Sequence, residues 1–175
     1  MNHSSKTALL PARRRRLFRE ASGMAFESLA AAQKALRAPL AKIERILKSN
    51  PSDIEALLMK GNIIEMYFLH LSEAHEEARS CYEKALTYNR TNVCALTDMG
   101  DWHGAEGEYR KAIHFYDKAI ALLKRGKFHR SQEEEMEEAY MGKINALKEL
   151  KEHKAAQRCA KEGLQYCPNS KIFHS

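Results

Sequence analysis

His103 and His114, with Asp98 and Asp101 close by in sequence, are the side chains best suited to hold a metal or move a proton. A metal site needs a third and usually a fourth donor at a spacing that one element or turn can present. No such group stands near them, so the histidines read as surface or groove residues and no metal is assigned. The four cysteines, Cys81, Cys94, Cys159 and Cys167, form neither a CxxC pair nor a zinc spacing. Three fall inside helical patterns, which suits buried, reduced thiols and a cytoplasmic location. Cys81 and Cys159 also take equivalent places on repeated helices, which is a packing pattern and not that of a nucleophile. The glycine-rich dinucleotide fingerprint, the Walker loop, the nucleophile elbow and HExxH are all missing from the sequence. No catalytic residue and no cofactor is assigned; the chain is expected not to be an enzyme.

The remaining chemistry is electrostatic. Arg13, Arg14, Arg15, Arg16 and Arg19 all precede the first acid, Glu20, within a chain of net charge +6. Such a run attracts phosphates with a strong salt dependence, but no aromatic interleaving or nucleic-acid motif accompanies it. Phe18, Met24 and Phe26 would also suit an amphipathic helix on an anionic membrane surface. Arg15-Arg16-Leu17-Phe18 resembles a twin-arginine export signal. The stretch after it is interrupted by Glu27, Gln33 and Lys34, which is too polar for a signal core. Residues 1–16 are read as a solvated basic arm running into a helix, with an organellar leader left open. No apolar run approaches the roughly 18 residues of a membrane span.

These side chains must be positioned by something, and composition points to helices. A chain of 175 residues with 44% hydrophobic and 30% charged residues has one domain's worth of core, and only 8 glycines and 4 prolines. CYEKALTYN, from Cys81, and FYDKAIALL, from Phe115, align Tyr82 with Tyr116, Lys84 with Lys118 and Ala85 with Ala119, at an offset of 34 residues. Ala78 and Ala112 extend the match. Self-similarity at such a period marks a repeat architecture, in which each hairpin leaves an apolar stripe for its neighbour to cover.

Leu57, Gly61, Ile64, Ala78, Tyr82 and Ala85, then Leu96, Gly100, His103, Ala112, Tyr116 and Ala119, resemble the tetratricopeptide repeat (TPR) pattern. A third copy carries Tyr140, Leu147, Ala156, Ala160, Gly163 and Pro168, with Ile144 where the glycine should be. Ile43, Ile46 and Pro51 supply a preceding half copy. The resemblance implies an all-α, right-handed α-solenoid of antiparallel hairpins. Its parts are an N-terminal helix and partial repeat at 17–53, repeats at 54–92, 93–126 and 137–170, an insertion at 127–136, and a tail at 171–175. Gly61, Gly100, Ala78 and Ala112 are expected to let helices cross closely. Gly100, Ala112 and Tyr116 should therefore meet at one crossing. In the insertion, Ser131 and Glu134 form a capping box, and Glu133 to Glu135 suit a helix N-terminus.

In TPR proteins the first helices of the hairpins line a concave groove that holds a partner's peptide or helix. The resemblance places Leu58, Met59, Asn62 and Glu65, then Asp98 and Asp101, then Met141 and Asn145, on that wall, with Glu55, Thr97, Glu138 and Lys148 beside them. Acids at Asp98 and Glu138 would repel a C-terminal carboxylate, so a heat-shock chaperone tail is not the expected ligand. The wall suits a cationic, amphipathic segment, steered by charge and held by methionine contacts. The implied function is a scaffold, adaptor or chaperone-like binding protein. The alternative is a nucleic-acid or anionic-membrane binder acting through Arg13 to Arg16. After Pro168-Asn169-Ser170 only KIFHS remains. Either Ile172 and Phe173 fold back, or the last hairpin is left to form a weak oligomer.

Overall fold

The computed structural model describes residues 29–68, 72–125, 132–170 and 173. Among them the regular elements are seven α-helices, with no strand. They are α1 (Leu29–Ser49), α2 (Ile54–Phe68), α3 (Ser72–Tyr88), α4 (Val93–Ala105), α5 (Tyr109–Arg125), α6 (Glu133–Glu149) and α7 (His153–Gly163). The described residues fall into two compact units, one ending at Arg90 and the other beginning at Thr91.

In the first unit α1 packs on α2, and α2 on α3. Leu36, Leu40, Ile43 and Leu47 recur along one face of α1, as a helix resting on a neighbour requires. They meet Ala56, Met59 and Ile63 of α2. Pro39 lies inside α1; it removes one backbone donor but does not end the helix. The chain then turns at Asn50 to Asp53. Asp53 caps α2 by accepting the Ala56 N–H at 2.9 Å.

In the second unit α4 pairs with α5, α5 with α6 and α6 with α7, and α4 also touches α6. Asn92 caps α4, accepting the Ala95 N–H at 2.8 Å. Tyr116 of α5 is wedged at the centre. A methyl group added at Gly100 would lie 2.5 Å from its Cε1, and one added at Gly142 would lie equally close, at 2.5 Å. Ala112 and Ala146 complete this cluster. The expected meeting of Gly100, Ala112 and Tyr116 is therefore present. Gly142 is an addition: it receives the tyrosine of the preceding hairpin, a contact separate from the crossing within a hairpin that Gly61 and Gly100 make, and Ile144 keeps the pattern's glycine place in the third copy.

Both hairpins of this unit close alike. The Glu108 N–H reaches the His103 carbonyl at 2.9 Å, and the Glu152 N–H reaches that of Leu147 at 2.9 Å. This helix-ending motif needs a left-handed residue just before the donor. Gly107 supplies it at φ 74°, and Lys151 at φ 60°. α6 opens on Glu133, Glu134 and Glu135, with Gln132 at the cap position making no side-chain cap bond. Ser131 lies outside the described residues. At the C-terminal end Phe173 is buried. A methyl group at Gly163 would stand 2.9 Å from its ring, and Tyr140 meets it edge-on at 6.1 Å. Phe173 thus covers part of the last hairpin; Ile172 lies outside the described residues.

Candidate functional site

The close helix crossings do more than save space. Because Gly61 and Gly100 have no side chain, the rings of Tyr82 and Tyr116 lie against α2 and α4, and their hydroxyls reach the next residue along. Tyr116 donates to Asp101 Oδ1 at 2.7 Å. Tyr82 lies 2.9 Å from Asn62 Oδ1 and 2.7 Å from Glu65 Oε2. A phenol has one hydrogen and cannot serve two acceptors. Turning the Asn62 carboxamide over resolves this. Tyr82 then donates to the charged Glu65 and accepts from the Asn62 N–H. In that orientation the amide oxygen takes the place now held by Nδ2, which is buried and has no partner among the described residues. Asn62 is 8% exposed, so it acts as a buried group that positions the Tyr82 hydroxyl against Glu65.

The other expected wall residues divide. Asp101 and Asn145 are exposed, and Met59, Glu65 and Met141 are half-buried. Leu58 and Asp98 are buried, Asp98 to 3%. Thr97 is turned inward, its hydroxyl bonded to the Val93 carbonyl at 3.1 Å. Asn62 and Glu65 are brought together through Tyr82; Asp101 is held separately by Tyr116. Arg13 to Arg16 lie outside the described residues. The bracing role of the two tyrosines was missed from sequence, where they read as space-fillers. The signal was available: a tyrosine kept at a buried repeat position needs a partner for its hydroxyl.

Away from this face, charges cross-link neighbouring helices. Lys60 of α2 joins Glu44 of α1 at 3.3 Å and Glu77 of α3 at 2.8 Å. Burial pulls the lysine's pKa down, but the two carboxylates outweigh it and hold the pKa above the ordinary value. Lys124 of α5 pairs with Glu162 of α7, with its ammonium 5.6 Å from the Tyr140 ring centre and 5.3 Å from that of Tyr166. Burial pushes the Tyr140 phenol up to about 12.

The candidates for chemistry fare as packing groups. All four cysteines are free thiols. Burial raises the Cys81 thiol, and pushes Cys159 to about 11 and Cys167 to about 12, so these three stay protonated and poorly nucleophilic at neutral pH. His103 bonds Glu108 at 2.6 Å and stacks on Phe115 at 5.2 Å; His114 is exposed. Among the described residues no group of three or more potential metal ligands gathers.

A crystal structure of MamA superposes on 86% of this chain and 73% of its own, with a TM-score of 0.57 at 18% identity. The fold is TPR-like. No family model matches the sequence, and no curated protein does. At that identity the likeness speaks for the helical-repeat fold alone. Among the described residues no helix is long and apolar enough to cross a membrane.

Proposed function

We propose that this protein is a non-enzymatic interaction scaffold. In each unit, taken by itself, the first-helix face takes a cationic and amphipathic segment of a partner. The observation that carries this reading is a tyrosine-braced carboxylate in each unit, Glu65 on α2, with Asn62 behind it, and Asp101 on α4. A bound chain offers N–H groups and, if cationic, ammonium or guanidinium donors. Acceptors fixed in advance lose little entropy on meeting them. Met59 and Met141 add adaptable apolar contact. Asn145 holds the place in the third copy that Asn62 and Asp101 hold in the first two. Leu58 and Asp98 contribute floor in place of open wall.

The test is a set of short fluorescein-labelled peptides, half arginine- and leucine-bearing, half with the charges reversed. Selective binding of the cationic half is expected, weakened by salt and by Asn62→Ala, and abolished by Asp101→Lys. Equal binding of both halves, or binding indifferent to Asp101→Lys, would reject the proposal.

A further inference from the structure

The groove between α1 and α2 has an apolar floor and rims of opposite charge. About 600 Å³ lies open over Ile43, Ala56 and Met59. Ile46, at its edge, is 37% exposed, one of two large hydrophobic side chains so exposed among the described residues. The α1 rim carries Lys42 and Arg45, and the opposite rim carries Asp53 and Glu55. Cations thus stand along one side of the groove and acids along the other.

We propose that the groove is covered by the same groove of a second copy of this chain, in a two-fold dimer. A two-fold interface joins a patch to itself, so the patch must be complementary to itself. Here the charges select one way of doing so. A two-fold axis running along the groove lays α1 of each copy over α2 of the other, and each cationic rim meets an acidic one. An axis across the groove would lay α1 on α1 and set Lys42 and Arg45 against like charges, which is unfavourable. The heights agree with the first arrangement. α1 ends at Ser49, the chain turns back, and α2 begins at Ile54. At about 1.5 Å per residue, Arg45 and Glu55 both lie within about 6 Å of that turn. An axis along the groove preserves height, so Arg45 faces Glu55 of the partner subunit, and Ile46 of each copy is withdrawn from water over the other's floor. Dimerisation here does not depend on what the first-helix faces bind; of the groove's lining, only Met59 also belongs to the partner-binding face proposed above.

Sedimentation equilibrium of the full-length protein, from micromolar to near-millimolar concentration, tests it. Wild type should pass from monomer to dimer as concentration rises. Arg45→Glu and Glu55→Lys should each weaken the dimer roughly tenfold or more, since each turns two attractive pairs into like-charge pairs. Mixing the two variants should bring a dimer back, because every facing pair in the mixed dimer is again of opposite sign. Ile46→Asp, at an exposed position, should leave the protein monomeric with its helical content unchanged; it reads the same interface if either charge variant fails to fold. A wild type that stays monomeric throughout overturns the proposal. So does a dimer untouched by Ile46→Asp, or a mixture of folded charge variants no more dimeric than either alone.

Discussion

Adding a single methyl group at Gly142 tests the joint on which the second unit is built. It would stand 2.5 Å from Tyr116 Cε1, where carbon atoms prefer about 3.5–4.0 Å. The ring would have to move by about 1 Å, and it has nowhere to go. Gly100 blocks the opposite side as closely, and the hydroxyl is tied to Asp101 at 2.7 Å. Overpacking of this kind costs about 1–3 kcal/mol, and a ring confined on both faces belongs near the upper end. Replacing a mid-helix glycine by alanine returns about 1 kcal/mol of helix propensity. Gly142→Ala should therefore destabilise by about 2 kcal/mol, lowering the melting temperature by about 4–8 °C for a chain of this size. Gly104→Ala is the control. Its methyl would lie 3.9 Å from the Tyr116 hydroxyl and 4.0 Å from Ala112 Cβ, which is ordinary contact. It should be neutral or stabilise by up to about 1 kcal/mol. The one tryptophan, Trp102, is buried in α4, so its fluorescence during urea unfolding reports on this unit. A Gly142→Ala protein as stable as Gly104→Ala would refute the reasoning.

Two further outcomes follow from the turns and the charges. Lys151 holds a left-handed conformation that costs a side-chain-bearing residue roughly 1–2 kcal/mol; after glycine's greater chain entropy is subtracted, Lys151→Gly should gain up to about 1 kcal/mol in thermal unfolding, and no gain would contradict the assignment. Glu162→Gln should cost less than about 1 kcal/mol at neutral pH, because the Lys124 pair is partly exposed. Lys124 holds the Glu162 carboxyl below its ordinary 4.5. The wild-type advantage is therefore complete above that value and fades as pH falls through the lowered one. Glu162 and Tyr140 in turn outweigh burial and raise Lys124 above its ordinary 10.5, so the advantage also fades as pH rises beyond that range. A wild-type advantage undiminished at about pH 3 would exclude the pair as its source.

The repeated small and large residues were enough to place the helices and to pair Gly100 with Tyr116, because a hairpin's contacts recur at a fixed separation along the chain. Asp53 and Asn92, which cap α2 and α4, went unread in the sequence, although a cap bonds only a few residues ahead. Tyr82 and Tyr116 were visible as packing residues but not as braces. Whether a hydroxyl finds a carboxylate depends on which helix face lies opposite.

Periodicity therefore determined the helical-repeat fold: each unit must fit its neighbour, and that demand is written into residue size. Tertiary structure alone decided that Gly142 receives the tyrosine of the preceding hairpin. It also decided that Asp98 is buried while Asp101 is exposed, and that Phe173 covers part of the last hairpin. Each of those outcomes is set by contacts between elements, whose rotation about their own axes a one-dimensional pattern leaves free by a residue or two. At a groove, one residue of rotation separates a floor from a wall.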